Sequence, residues 1–186
     1  EETVAPPPAT LIIDDFNDGD VSDWGSFNGA AGGGGVGIAA DRPQEGSHYL
    51  STGWGGTGGG GFYGGTFKNL DNGSQITPPS NPAFSMWVYN QSDATSDGYQ
   101  LEVTIREDND GDGWDGFGNG DDSFRYDHVF TSADYNDGWV QIEVPFGDFT
   151  HVDGTDDGTF TGTLDEVVFV ISNVQGGDPS TVEVDF

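Results

Sequence analysis

Aromatic rings and planar polar groups alternate along several short stretches of this chain, at the spacing of β-strands. Trp87 and Tyr89 lie two residues apart in PAFSMWVYN, and Glu102 and Arg106 share one side of YQLEVTIRE. Successive side chains of a strand point to opposite faces, so each pair lines one face. Rings stack on the CH faces of sugars, while carboxylate, amide and guanidinium groups exchange hydrogen bonds with sugar hydroxyls. The pattern predicts a glycan-binding surface.

Two more stretches extend this surface. In GWVQIEVPFGDF, Gln141 falls on the side opposite the apolar residues, and FRYDHVF offers either its arginine and aspartate or its tyrosine and histidine. We expect all of these side chains on one sheet, with a second patch of rings beside the loop GGTGGGG. The alternatives are that the rings extend the core and that the arginines form salt bridges. The candidate glycan ligands are Trp54, Trp87, Tyr89, Glu102, Arg106, Arg125, Tyr126, His128 and Gln141.

Carboxylates in two places have the spacing of a cation site. Asp108, Asp110 and Asp112 precede a glycine, as at the start of an EF-hand loop, although Asn119 replaces the glutamate that closes such a loop. This predicts either a calcium site or a solvated acidic loop. A second, sequence-distant set could converge where the first and last strands meet. Its members are Asp14, Asp15 and Asn17, the segment that begins at Asp41 and ends at Ser47, and Asp185.

Composition restricts the classes of partner. The formal charge of -29 comes from 33 carboxylates against 4 lysines and arginines, so nucleic acid, anionic membranes and anionic glycans are repelled and a neutral glycan is favoured. The absence of cysteine excludes disulfides and thiolate chemistry. No apolar run has the roughly 20 residues of a membrane span.

Short strands separated by glycine-rich turns predict one all-β domain over residues 11–186, a two-sheet antiparallel β-sandwich. We expect residues 1–10, EETVAPPPAT, to form a proline-rich linker to a covalently linked upstream domain. We predict an edge strand or loop over 29–37 and a polar loop over 153–162. The predicted strands are 11–16, 48–54, 62–67, 82–90, 99–107, 124–130, 138–145, 164–173 and 181–186.

IIDDFNDGDVSDWGSF, EGSHYLST, PAFSMWVYN, GWVQIEVPFGDF and LDEVVFVISN with VEVDF together resemble the galactose-binding-like β-jelly-roll carbohydrate-binding modules, in particular family 11 and its relatives. The resemblance implies glycan binding along a concave sheet and a structural calcium held by Asp15, Asn17 and Asp185 with backbone oxygens near Gly46. Asn17 stands where such modules usually carry an acidic residue.

Catalysis has no distinctive signal in the sequence. A glycosidase needs two carboxyl groups in fixed opposition, and none of the 33 is singled out. Arg125, Tyr126 and His128 supply the residue types of a lyase without its pattern. We therefore predict a secreted or cell-surface, monomeric, non-catalytic module that attaches a parent protein to a neutral polysaccharide, with a β-glucan favoured. The alternative is a calcium-stabilised adhesion or spacer domain without a glycan site.

Overall fold

The computed structural model describes most of the region predicted to be folded. It covers residues 12–28, 34–41, 43–44, 46–55, 63–70, 83–90, 99–109, 121–130, 138–153, 158–160, 164–173 and 181–185. The predicted linker over 1–10 lies outside these ranges, as do Asp110 and Asp112.

Eleven β-strands are present among the described residues, as expected for a chain rich in alternating Val, Ile, Phe and Thr. A single-turn 3-10 helix, Phe146–Asp148, follows the eighth strand. The strands are β1 (Trp24–Asn28), β2 (Gly34–Ala39), β3 (Tyr49–Gly55), β4 (Tyr63–Asn69), β5 (Ala83–Asn90), β6 (Tyr99–Glu107), β7 (Ser123–Val129), β8 (Val140–Pro145), β9 (Thr150–Asp153), β10 (Leu164–Asn173) and β11 (Thr181–Asp185).

The strands form two antiparallel sheets. A six-stranded sheet has the order β1-β4-β10-β6-β7-β9, and a five-stranded sheet has the order β2-β3-β11-β5-β8. Side chains from both sheets fill one core, in which Phe84 of β5 approaches Phe169 of β10 with ring centroids 6.1 Å apart. The predicted antiparallel β-sandwich is therefore confirmed.

The stretch 138–149 folds as its pattern indicates. Ile142 and Val144 are buried in the core, while Gln141 and Glu143 are exposed on the other side of β8. Pro145 ends the strand, and the chain turns so that Phe146 and Phe149 stack with centroids 5.0 Å apart. A proline cannot donate to a sheet ladder, which explains why β8 stops there.

The strand predicted over residues 11–16 is wrong for its described part. Ile12 to Phe16 forms no strand: Asp14 accepts a hydrogen bond from the backbone N–H of Phe16 at 2.8 Å, and Phe16 has a φ of 52°. Such local aspartate turns compete with strand pairing. The sequence analysis also missed β1 and β9, since WGSFN and THVD are too short to be separated from the polar or glycine-rich stretches beside them. The predicted edge strand is present as β2.

Candidate functional site

The predicted glycan ligands do not share one face. Residues of β6 and β7 that point away from the core lie on the outward side of the six-stranded sheet, which we call the six-strand face. Trp87, Tyr89 and Gln141 lie on the outward side of the other sheet, the five-strand face. The prediction of a single shared face is wrong, because strand periodicity assigns a side chain to a side of its strand and not to a sheet.

An arginine held between two carboxylates lies on the six-strand face. Arg125 of β7 contacts Glu102 of β6 at 3.3 Å and Asp127 of its own strand at 2.9 Å. Glu102 also accepts a hydrogen bond from the Thr104 hydroxyl at 3.1 Å. Because the guanidinium group is rigid and planar, these contacts fix its orientation while about 38% of the side chain remains exposed. The salt bridge that the sequence offered as an alternative is therefore present, on an outward surface.

A second ion pair lies on the same face. Arg106 pairs with Glu166 of β10, the residue opposite it in the sheet register. Burial raises the pKa of the Glu166 carboxyl, Arg106 opposes that rise, and the neighbouring Asp165 adds to it. Arg106 is thus held at the sheet surface by a buried carboxylate.

Two phenylalanine rings lie over glycines on the six-strand face. In the pairing of β1 with β4, Gly25 is opposite Phe67 and Phe27 is opposite Gly65. A side chain at Gly25 would collide with the Phe67 ring, and one at Gly65 would collide with the Phe27 ring. The ring centroids are 6.5 Å apart with an angle of 31° between planes. Each glycine therefore allows the facing ring to lie close to the backbone.

Valines of β10 occupy the centre of this face. Val168 and Val170 are only 2% exposed, yet they are not part of the core between the sheets. Val168 is opposite Phe67 on one side and Thr104 on the other, and Val170 is opposite Gly65 and Glu102. Cross-strand neighbours on one face lie about 5 Å apart. The face thus changes from rings through valines to charged groups across the sheet.

The sequence analysis missed Phe27 and Phe67. WGSFN was not predicted to be a strand, and the strand predicted over 62–67 was given no outward ligand role for Phe67. The signal that could have identified the rings is the cross-strand pairing of glycine with an aromatic residue, which depends on a register that the sequence alone does not specify.

The five-strand face carries a cluster of larger rings. Trp139 meets Tyr49 and Tyr89 edge to face, with centroid distances of 5.5 and 5.6 Å. The Tyr49 hydroxyl donates a hydrogen bond of 2.6 Å to Asp41. Gln141 is opposite Trp87 in the pairing of β5 with β8. This face therefore also combines aromatic with polar groups.

Packing against the core decides which residues of FRYDHVF point outward. Tyr126 packs against the core and its ring lies 5.9 Å from that of Phe149, so it is not on the outward surface where we predicted a glycan ligand. His128 is on the same inward side of β7 and meets the ring of Phe130 edge to face at 5.1 Å. Trp54 lies in β3, opposite Val182 of β11, and only its backbone is described.

The predicted calcium ligands near the first strand are partly brought together. The side-chain oxygen of Asn17 accepts a 2.9 Å hydrogen bond from the backbone N–H of Ser47, next to Gly46 with its φ of 65°. Asp15 accepts a hydrogen bond from the backbone of Asn17, which lowers the pKa of the Asp15 carboxyl. Asp41 is instead hydrogen-bonded to Tyr49.

The remaining predicted calcium ligands are less clearly placed. Asp185 lies opposite Ser51 of β3 and Tyr89 of β5, with only its backbone described. Within the described ranges, no three acidic or histidine side chains converge as a metal site.

Asp108 lies in a buried acidic group where β6 ends and β7 begins. Glu107, Asp108, Asp121 and Asp122 are all at least 94% buried. His151 of β9 contacts Asp122 at 2.6 Å, and the backbone N–H of Asn109 donates to Asp121 at 3.2 Å. These contacts connect three strands at one end of the sandwich.

All three described lysine and arginine side chains form ion pairs. Besides the two arginines of the six-strand face, Lys68 contacts Asp14 at 2.6 Å and Asp23 at 2.7 Å, and its ammonium lies 5.7 Å from the ring centroid of Trp24. Burial lowers the pKa of Lys68, but the hydrogen bonds to both aspartates outweigh burial and raise it overall. The rest of the described surface is dominated by carboxylates, which disfavours anionic ligands.

Solved structures of carbohydrate-binding modules have the same fold. The family 11 module of the cellulosomal cellulase Lic26A-Cel5E of Clostridium thermocellum aligns with a TM-score of 0.59 and 20% identity over 97% of this chain and 93% of its own. A CBM28 module specific for non-crystalline cellulose aligns with a TM-score of 0.57 and 12% identity over 96% and 93%. A structure described in terms of the promiscuous specificity of carbohydrate-binding modules from the β-sandwich superfamily aligns with a TM-score of 0.59 and 14% identity. The alignment covers 91% of this chain and 57% of the chain in that structure.

These alignments confirm the predicted carbohydrate-binding-module β-sandwich as the fold of the chain. No protein-family model matches the sequence, and no curated protein matches it. The described residues include no helix with the length and hydropathy needed to span a membrane.

Proposed function

We propose that this domain is a non-catalytic carbohydrate-binding module that attaches a parent enzyme or cell-surface protein to a neutral polysaccharide through the six-strand face. The observation that carries the proposal is the arrangement of Phe27 and Phe67 over glycines, across the sheet from the oriented Arg125 and its carboxylates. The modules of the same fold support the class of ligand.

The chemistry of this face suits a sugar chain. A phenylalanine ring offers its π-face to the CH groups of a pyranose. Arg125 supplies paired donors, and Asp127 and Glu102 supply acceptors, so both hydrogen-bonding roles of a hydroxyl are met.

The charge of the face favours a neutral ligand. Arg125 and Arg106 are each neutralised by carboxylates, so the surface offers no net positive charge to a uronic acid or a sulfated sugar. The module that resembles this chain and binds non-crystalline cellulose is consistent with our preference for a β-glucan.

Isothermal titration against mixed-linkage β-glucan, hydroxyethyl cellulose, xylan and mannan tests the proposal. We expect binding to at least one of these, and a large loss of affinity in Phe67→Ala and in Arg125→Lys, since lysine lacks the planar fork. Ile12→Ala is the control, because Ile12 is 65% exposed and lies outside both sheets. If no glycan binds, the spacer domain becomes the better account. Sugar products released from any glycan would refute the non-catalytic role.

We also propose a structural calcium ion at the corner where Asn17 approaches Gly46 and Ser47, with Asp15, which is hydrogen-bonded to the backbone of Asn17, as a further ligand. The support is the close contact between the two segments, which are 30 residues apart in sequence, and the chemistry of the donors. Carboxylate, amide and backbone oxygens are the ligands that calcium prefers. Both side chains are exposed and so accessible to an ion from solution.

A further inference from the structure

The five-strand face is a second ring-bearing surface, on the sheet that the proposed glycan site does not use. We propose that it binds a second chain of the same neutral polysaccharide, so that one module cross-links two glycan chains. This inference rests on the proposed function for the nature of the ligand. It assigns a binding role to Trp87, Tyr89 and Gln141, which take no part in the site on the six-strand face.

The ring cluster of this face is rigid. Trp139 is in edge-to-face contact with Tyr49 and with Tyr89, and Tyr49 is fixed in turn by its hydrogen bond to Asp41. Tyr49 is only 4% exposed, whereas Tyr89 and Trp139 remain half-buried. Rings that are already ordered lose little conformational entropy when a ligand stacks on them.

A polar group stands beside an accessible ring on the same face. Trp87 is half-buried and its cross-strand neighbour Gln141 is exposed. The amide of Gln141 donates a 3.1 Å hydrogen bond to the Ser85 hydroxyl, which orients it. A primary amide has two donors and two acceptor lone pairs, so this one bond leaves capacity for sugar hydroxyls.

Charge favours a neutral occupant. The described side chains of the five-strand face include the carboxylates Asp41 and Glu143 and no lysine or arginine. An anionic glycan would meet only like charge there, and a neutral polyol can use the carboxylates as acceptors. A basic peptide is the other class of ligand that such a surface could attract, and the experiment below includes it.

The two faces cannot serve one extended chain. They point in opposite directions from a sandwich whose sheets stack about 10 Å apart, and the core side chains fill the space between them. A glycan lying flat on one sheet therefore leaves the other sheet open to a second molecule. Two sites of this kind on one rigid domain produce cross-links when the ligand is a polymer.

The test uses the intact domain and the glycan from the panel above that binds it. Titration with a six-residue oligosaccharide of that glycan gives the stoichiometry, and light scattering with the polymer reports cross-linking. We expect the wild type to bind two oligosaccharides per chain, and Trp87→Ala and Phe67→Ala to bind one each. The light scattering that reports cross-linking should be lost in both variants. Ile12→Ala serves again as control, and a thermal melt checks that each variant is folded.

Failure of this inference is distinct from failure of the proposed function. A stoichiometry of one that Phe67→Ala abolishes and Trp87→Ala leaves unchanged would refute the second site and retain the first. A stoichiometry of one that depends only on Trp87 would refute the six-strand face as the glycan site and the cross-linking with it. Binding of polylysine to the wild type that Trp87→Ala and Gln141→Ala abolish, without a second oligosaccharide, would also refute the inference.

Discussion

Replacing Gly25 by alanine tests whether the close approach of Phe67 to the backbone matters for binding. A Cβ atom at Gly25 would lie 2.5 Å from one carbon of the Phe67 ring and 2.7 Å from another. Carbon atoms pack at about 3.5 to 4.0 Å, and a third ring carbon lies closer still, so the ring must move outward by about 1 to 2 Å. The platform on which we expect a sugar to stack is then displaced.

The expected effect on stability is small. Overpacking costs about 1 to 3 kcal/mol, and the lower end applies here because only the far end of an outward side chain has to move. Alanine in a strand is favoured over glycine by roughly 0.5 to 1 kcal/mol, which offsets most of that cost. We therefore expect glycan binding to weaken by about 1 kcal/mol, the scale of one aromatic contact, or about fivefold in Kd, with nearly unchanged unfolding.

Two other glycines provide matched controls. At Gly37 of β2 the added carbon meets only the Ser51 carbonyl oxygen, at 4.0 Å. Gly37→Ala should therefore leave glycan affinity unchanged and should not lower the free energy of unfolding. At Gly65 it would lie 2.7 Å from the backbone oxygen of Phe169, which cannot move without shifting β10. We expect Gly65→Ala to lower the free energy of unfolding by about 1 to 3 kcal/mol.

The measurements are isothermal titration for Kd and urea denaturation for the free energy of unfolding. Unchanged glycan affinity in Gly25→Ala, together with unchanged affinity in Phe67→Ala, would refute the role of this platform. Equal destabilisation of Gly25→Ala and Gly65→Ala would show that the distinction between ring and backbone contacts is wrong.

Three further predictions concern stability. Lys68→Met leaves the 13%-exposed Asp14 without its cation and should lower the free energy of unfolding in urea by about 2 to 3 kcal/mol, less than the loss of a partner from a fully buried pair. Arg125→Met, whose partners are more exposed, should lower it by less than about 1 kcal/mol. Equal losses in the two variants would contradict this prediction. The raised pKa of Glu166 stabilises the folded state below its ordinary pKa of 4.5, and that contribution is lost as the pH rises through the folded-state pKa. The difference between the free energies of unfolding of the wild type and Glu166→Gln should therefore decrease as the pH is raised from 4 to 7. An increase would contradict the raised pKa of Glu166. Removal of calcium with EDTA should lower the melting temperature of the wild type and have less effect on Asp15→Asn; an unchanged wild-type melt would remove the calcium proposal.

The sequence was sufficient to predict most of the strands, and the buried side of those whose apolar residues alternate strictly, but it did not predict β1 or β9. In β8 and β6 the apolar residues alternate strictly, and burial of one face is a strong and local driving force, so Ile142, Val144, Leu101 and Val103 are in the core as expected. β10 carries apolar residues on both sides, and it is buried on both sides.

The sequence could not determine which strands are neighbours, because pairing depends on contacts between residues far apart in the chain. Only the tertiary structure separates Trp87 and Gln141 from Glu102 and Arg125, since β5 and β8 pair in one sheet while β6 and β7 pair in the other. It likewise decides that Phe27 and Phe67 face glycines across a strand pair. Periodicity fixes the side of each strand through local geometry, whereas the assembly of a binding face requires the register and order of whole sheets.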